Sequence, residues 1–194
     1  MDNYLFYSNQ IPMRPDGLYI EEILKNWFGD YDKLEYTHSY IQWLFPIRKK
    51  GLNAEAQALQ LHEAKAIKSD PQIRDRILGA YNMMLDFYGI ELVNKLTGEV
   101  KRGNNWEERV KSLNKYLHNY LRITRILKFL GEVGFEEFKC PLVEFLLLEC
   151  LKEKSLTEAK ISLRDYWTCV LRNEADRTYI LRLLNQFWPN YESF

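Results

Sequence analysis

Cysteine and histidine are scarce in this chain of 194 residues, and neither sign of charge is in excess. There are three residues of each, and lysine plus arginine equals aspartate plus glutamate at 27. An odd cysteine count does not make a disulfide framework, and the spacing of Cys140 and Cys150 fits no CxxC metal pair. We therefore expect three buried, reduced thiols in an intracellular protein. A net charge of zero excludes a global field for nucleic acid or an anionic membrane.

Long apolar runs and catalytic signatures are also missing. Uninterrupted apolar runs reach only four residues, as at Phe145 to Leu148, against the roughly 20 that a bilayer requires. No charged leader followed by an apolar run opens the chain, so no secretory signal is predicted. The motifs G-x-x-x-x-G-K-[ST], G-x-G-x-x-G and G-x-S-x-G do not occur, which argues against a phosphate-binding loop and a nucleophile elbow. We expect a soluble protein that is not an enzyme and has no catalytic residues.

The three histidines do not form a metal-binding pattern. His38, His62 and His118 are followed four residues later by glutamine, alanine and arginine respectively. None of these pairs is a usual zinc pair, so the sequence predicts structural histidines, no metal site and no cofactor.

Helical periodicity dominates what is present. An apolar stripe at Ile20, Ile23, Leu24 and Trp27 predicts one helix, and Asp70-Pro71 is a strong start signal for another, of about five turns. No repeat of 20 to 50 residues occurs, which argues against a solenoid.

These patterns predict an all-α fold, a single compact domain of eight or nine helices. We place the helical domain at residues 18–191, after an irregular lead-in at residues 1–17. Within that domain, residues 91–103 form the only stretch of any length with no helical pattern.

The segment Gly29 to Pro46 combines many aromatic rings with polar residues, and we expect one helix there that ends at the proline. Its residues Tyr36, Tyr40, Trp43 and Leu44 fall on one stripe and predict a core face. His38, Gln42 and Phe45 point elsewhere. Two interpretations stay open: a core with a buried hydrogen-bond network, or a groove that receives a ligand.

Two clusters of basic residues could attract an anion. An unbroken helix would align five residues on one face, as a stripe for phosphate, a carboxylate or an acidic partner helix: Lys111, Lys115, His118, Arg122 and Arg125. A solvated face, or pairing with neighbouring carboxylates, is the simpler interpretation, and a break near residues 116–119 would split the stripe. The second cluster, Arg48-Lys49-Lys50, is more typical of a helix end and of solubility than of a nucleic-acid site.

The wording of several segments resembles a known family. PDGLYIEEI at residues 15–23, GDYDKLEYTHSYIQWLFP at 29–46 and NYLRITRILKFLGEVGF at 119–135 closely resemble the opioid growth factor receptor conserved region. FYGIEL at 87–92 and QFWPNY at 186–191 are similar as well. The likeness runs in order from about Asn3 to Tyr191.

The resemblance implies a receptor unrelated to the seven-helix opioid receptors. It implies a non-enzymatic domain that binds Met-enkephalin and restrains cell proliferation. The implied localisation is intracellular: cytoplasmic, perinuclear or nuclear. Its partner would be a short enkephalin-like peptide or a protein, and nucleic acid is not expected.

A Tyr-Gly-Gly-Phe-Met peptide offers an ammonium, two rings, a thioether and a carboxylate. A receiving groove needs a carboxylate, aromatic lining and an arginine, which Asp30 or Asp32 with Tyr36, Trp43 and Arg122 could supply.

Five residues are the candidate ligand contacts: His38, Gln42, Trp43, Arg122 and Arg125. The alternative function is an anion-binding or nucleotide-binding domain, or an enzyme, built on the basic stripe. Nucleic-acid binding is a weaker third option that a steep salt dependence of affinity would reveal.

Overall fold

Helices account for most of the computed structural model, which describes residues 1–189. Those residues contain eleven α-helices and one short antiparallel sheet. The elements in chain order are α1 Asp2–Tyr7, α2 Ile20–Asn26, α3 Tyr31–Tyr36, α4 Tyr40–Leu44, α5 Leu61–Ser69, α6 Pro71–Phe87, β1 Ile90–Leu92, β2 Val100–Arg102, α7 Trp106–Lys115, α8 His118–Glu132, α9 Lys139–Leu151, α10 Lys160–Ser162 and α11 Glu174–Phe187.

The prediction of an all-α fold is confirmed. Among the described residues the helices outnumber the eight or nine expected. The difference comes from very short helices, which contain too few residues to show a helical period. The aromatic segment forms two helices, α3 and α4, where one was expected, and α10 is a single turn. Such helices do not persist alone in water and depend on tertiary packing.

The chain forms two compact units, each with its own core. Unit 1 comprises residues 1–87 and 132–134. In it α1 contacts α5 and α6, α2 contacts α6, and α5 contacts α6. Rings fill much of this core: Trp27 meets Tyr40 edge-on at 5.4 Å between centroids, and Phe6 lies 5.4 Å from Trp43.

The N-terminal lead-in is more regular than the sequence suggests, because α1 occupies its first half. Phe6 and Tyr7 are fully buried, and the Tyr7 hydroxyl donates to the carbonyl oxygen of Leu44. The Asn3 amide donates to the buried carboxylate of Glu63 at 3.0 Å. A six-residue helix carries too little periodicity to be recognised, so tertiary contacts define it.

Unit 2 comprises residues 88–131 and, as far as it is described, 135–189. Its hairpin pairs β1 with β2 antiparallel, with Glu91 opposite Lys101. Arg102 holds the hairpin to α9 through two hydrogen bonds to the Glu149 carboxylate, at 2.6 and 2.7 Å. This bidentate geometry is the strong form of an arginine–carboxylate pair, and it raises the pKa of Arg102.

A partly buried polar network continues from Glu149 to the end of α7. The Ser155 hydroxyl donates to Glu149 at 2.5 Å, and the Asn114 amide donates to the Ser155 carbonyl at 2.7 Å. Asn114 also accepts the backbone N–H of Thr157 at 3.0 Å. These hydrogen bonds fix the loop after α9 to α7.

The three cysteines are free, but they are not all buried. Cys150 is buried, Cys140 is partly buried and Cys169 is exposed, so the expectation of burial is wrong for Cys169.

The sequence suggests a regular helix over residues 163–171. The chain instead forms a π-helical turn, Leu163–Trp167, followed by a 3-10 turn, Thr168–Val170. A change of winding rotates the following side chains away from the faces that regular periodicity assigns.

Within the described part of the chain, no helix combines the length and the apolar character needed to cross a membrane.

Candidate functional site

The aromatic segment divides at Thr37 into two helices with opposite surroundings. Thr37 has an extended backbone, with φ −83° and ψ 133°, and ends α3. Helix α4 begins three residues later, at Tyr40. The segment that the sequence treats as one stripe is therefore two helices whose faces are set independently.

Helix α4 belongs to the core of unit 1. Trp43 is completely buried and its indole N–H donates to the Arg14 carbonyl at 2.9 Å. The Tyr40 hydroxyl donates to the Leu34 carbonyl at 2.9 Å. These contacts match the interpretation as a core with a buried hydrogen-bond network, and a ligand could reach the Trp43 ring only if the core opened.

His38 and Gln42 lie near the start of α4 and make local contacts. His38 is exposed, and its Nδ1 lies 2.9 Å from the Tyr36 carbonyl oxygen. Gln42 is partly buried, and its side-chain oxygen accepts the backbone N–H of Asn53 at 3.1 Å. Gln42 thus connects α4 to the loop that follows it, and ligand contact by either residue stays a prediction.

Helix α3 displays three chemically different side chains, which we call the α3 surface: Asp32, Lys33 and Tyr36. All three are exposed, and the exposed fraction of Tyr36 is 68%. Asp32 and Tyr36 are four residues apart, and Lys33 and Tyr36 are three apart, so they are neighbours on the helix surface. A carboxylate, an ammonium and an aromatic ring therefore lie together.

The start of α3 fixes the orientation of this surface. Gly29 has φ +78°, a conformation that L side chains rarely adopt, and it turns the chain from α2 into α3. Asp30 then caps the helix by accepting the backbone N–H of Lys33 at 3.1 Å. On the inner side the Tyr31 hydroxyl donates to Asp86 of α6 at 3.0 Å. Asp30 therefore has a structural role, and Asp32 is the carboxylate that faces solvent without this duty.

Sequence reasoning missed Lys33. Its ammonium nitrogen lies 5.1 Å from the centroid of the Trp27 ring, a cation–π distance. The contact holds the lysine against the end of α2, where it extends the α3 surface. The spacing of three makes Lys33 and Tyr36 neighbours on one helix, but the contact with Trp27 that positions the ammonium group has no signal in the sequence.

The basic stripe of unit 2 is interrupted. Helix α7 ends at Lys115 with Tyr116 as its cap, and α8 begins at His118. Lys111 and Lys115 are exposed on α7, with the Lys115 ammonium 4.9 Å from the Tyr116 ring centroid. The predicted break between residues 116 and 119 is confirmed, so the five residues do not share one continuous helix face.

The α8 arginines are largely withdrawn from solvent. Arg122 is buried and donates to the Asn119 side-chain oxygen at 3.2 Å. Arg125 is partly buried, and that burial lowers its pKa. Their role in ligand contact stays a prediction. Arg122 belongs to unit 2, whereas the proposed carboxylates and Tyr36 belong to unit 1, and Lys33 supplies a cation within unit 1 itself.

A metal centre and a surface pocket are two other kinds of site that a helical domain can carry. Within residues 1–189, no cluster of three or more histidine, cysteine, aspartate or glutamate side chains could hold a metal ion. An open depression of about 610 Å³ runs along α11. Its lining comes from that helix and the residue that caps it: Asn173, Glu174, Ala175, Thr178, Tyr179 and Arg182.

Comparison with known proteins gives a consistent result. A sequence model of the opioid growth factor receptor (OGFr) conserved region matches residues 1–194 and so covers both units. Opioid growth factor receptor-like protein 1 of Mus musculus is 48% identical over 194 residues, which is 100% of this chain and 42% of the relative. The opioid growth factor receptor of Homo sapiens is 46% identical over 189 residues, 97% of this chain and 28% of the relative.

The mouse opioid growth factor receptor is 45% identical over 192 residues, 99% of this chain and 30% of the relative. The chain thus spans less than half the length of these curated relatives. No solved structure matches it. The relatives carry the name of receptors, and the match extends over the whole of these 194 residues. The chain belongs to the opioid growth factor receptor family.

Proposed function

We propose that this chain is a non-enzymatic binding domain that recognises a short peptide of the enkephalin type at the α3 surface. The observation that carries the proposal is the exposure of Asp32, Lys33 and Tyr36 side by side on one helix. Membership of a family whose members are named opioid growth factor receptors supports it.

The chemistry of the peptide fits the three side chains. Its ammonium pairs with Asp32, one of its rings packs on Tyr36, and its carboxylate pairs with Lys33. Asp32 and Lys33 are adjacent in the chain, so the two ends of the ligand must come close together. A turn centred on the Gly-Gly pair of Tyr-Gly-Gly-Phe-Met achieves this, because glycine adopts the backbone angles that tight turns need.

Solvent exposure sets the expected affinity. Ion pairs in water contribute about 0.2–1 kcal/mol each, and an aromatic pair adds about 0.5–1.5 kcal/mol. The ring contact therefore contributes more than either charge, and Tyr36 is the residue whose loss is felt most. In the whole protein, peptide binding would restrain cell growth from a cytoplasmic, perinuclear or nuclear position.

Isothermal titration calorimetry with Tyr-Gly-Gly-Phe-Met tests the proposal. Tyr36→Ala is expected to weaken binding about tenfold, and Asp32→Asn about threefold. Tyr166→Ala is the matched control, because Tyr166 is an exposed tyrosine of unit 2, and it should leave the affinity unchanged.

A double-mutant cycle identifies the partner of Asp32. Acetylating the peptide amine should cost the wild-type chain about as much affinity as Asp32→Asn does, and should cost the Asp32→Asn variant nothing more. Absence of measurable binding, or equal affinity of wild type and Tyr36→Ala, would contradict the proposed function. The anion-binding alternative predicts instead an affinity for inorganic phosphate that falls steeply with salt.

A further inference from the structure

The loop that follows α4 projects three adjacent cations and a leucine from the surface of unit 1. We call residues 48–52 the basic loop, and its sequence is Arg48-Lys49-Lys50-Gly51-Leu52. The three cationic side chains are exposed, and Leu52 is 100% exposed. A fully exposed leucine next to three like charges is an unusual local arrangement. The apolar side chain is left in water, and the three like charges repel one another.

The base of this loop is firmly held. Pro46 is buried, and the Ile47 carbonyl accepts the backbone N–H of Leu59 at 3.0 Å. On the other side Asn53 donates its backbone N–H to Gln42 at 3.1 Å. The loop tip is therefore presented from two anchored ends, and its exposure does not come from a free chain terminus.

The cations have no counter-charge of their own within residues 1–189. Among the described residues, no carboxylate lies within ion-pair distance of Arg48, Lys49 or Lys50. The acidic residue closest along the chain, Glu55, is 3.9 Å from the guanidinium of Arg14. The sequence suggests that these cations complement the dipole at a helix end. However, α4 has only five residues, and a helix that short has little dipole to complement.

From these observations we infer that the basic loop docks on an anionic phospholipid bilayer. Arginine and lysine attract acidic headgroups, while Leu52, next to them, enters the apolar layer just below. A short loop tethered at both ends suits a flat anionic surface, because such a surface does not require the loop to adopt a regular backbone conformation. A peptide-binding groove of a protein requires an extended strand or helix, and five tethered residues offer neither.

The expected attachment is weak, reversible and sensitive to salt. Each cation near an acidic bilayer strengthens binding about fivefold, so the three together contribute about a hundredfold. Insertion of the leucine side chain adds about tenfold, and this part does not depend on salt.

Cosedimentation of the full 194-residue chain with vesicles tests the inference. Vesicles of phosphatidylcholine with phosphatidylserine should bind the chain, and vesicles of phosphatidylcholine alone should not. The triple variant Arg48→Glu, Lys49→Glu, Lys50→Glu should lose at least about a hundredfold in partitioning. Leu52→Ala should lose about tenfold at low and at high salt.

A second triple variant controls for net charge. Lys65→Glu, Lys111→Glu and Lys128→Glu remove the same charge from dispersed exposed positions and should change binding only a few-fold. Equal losses in both triple variants, equal binding to neutral vesicles, or no vesicle binding would overturn the inference. Capture by polyglutamate or duplex DNA with no vesicle binding would also overturn it, in favour of a macromolecular partner.

Discussion

Helices α3 and α4 come from one aromatic segment, yet they have opposite roles in unit 1. Helix α4 buries Tyr40, Ile41, Trp43 and Leu44, whereas α3 leaves Tyr36 68% exposed. Both are rich in rings and both are very short. The difference shows that aromatic density alone does not distinguish a core from a displayed surface. The break at Thr37 decides which rings lie in the core and which are exposed.

The largest test of this contrast is the removal of a ring from each helix. Trp43→Ala should lower the free energy of unfolding by about 3–5 kcal/mol, because a large fully buried ring leaves a cavity. Tyr36→Ala should change it by less than about 0.5 kcal/mol, as exposed substitutions usually do. Urea denaturation followed by circular dichroism measures both. Similar losses would show that the two helices are not divided as described.

The link between the two helices gives a smaller effect. Tyr40→Phe removes the hydroxyl that donates to the Leu34 carbonyl and should cost about 1–1.5 kcal/mol in the free energy of unfolding. Tyr19→Phe is a suitable control, since Tyr19 is exposed and its hydroxyl should contribute little. A Tyr40→Phe variant as stable as the wild type would show that this hydrogen bond does not contribute to the free energy of unfolding.

The cap of α3 should affect the displayed surface more than the core. Asp30→Ala removes the acceptor for the Lys33 N–H and should cost about 1 kcal/mol. Asp30→Asn should restore most of it, because asparagine is also a good cap. Hydrogen exchange should show faster exchange in α3 than in α4 for the alanine variant. Equal acceleration in both helices would indicate that the cap supports the whole segment.

The thiols show the same contrast between a buried and an exposed side chain. Of the effects predicted here, their ionisation changes the free energy of unfolding least. Burial raises the pKa of Cys150 to about 11, above the usual 9.0, so this thiol stays neutral in the folded chain. The stability it contributes is present below about pH 9 and is lost as the pH rises through about 11. At about pH 8, Cys169 should react with iodoacetamide well before Cys150. Cys169→Ser should remove the fast phase alone.

The sequence was most informative where a local signal acts alone. Asp70-Pro71 predicts the start of α6, which begins at Pro71. The poor helix formers Asn114 and Asn119 predict a break near residues 116–119, where α7 ends and α8 begins. In both cases the deciding interaction lies within a few residues of the signal, so tertiary packing has little to change.

Prediction failed where tertiary contacts choose between similar local options. The spacing of Tyr36, Tyr40 and Trp43 suits one helix, and only the extended backbone at Thr37 separates the exposed ring from the buried ones. The sequence predicts an irregular lead-in, because α1 is stabilised by partners distant in sequence, such as Glu63. Of the candidate site, the carboxylates and Tyr36 could be named in advance. Lys33 could not, because its position depends on where Trp27 lies.

The shortness of α3 and α4 has a practical consequence for any reagent made from this segment. Helices of six and five residues are far below the roughly 12–15 residues at which an isolated helix begins to persist in water. A synthetic copy of residues 29–46 would therefore be a mixture of conformers that seldom presents Asp32 beside Tyr36. Antibodies raised against such a copy, or screens that use it as bait, would sample shapes that the folded chain does not have.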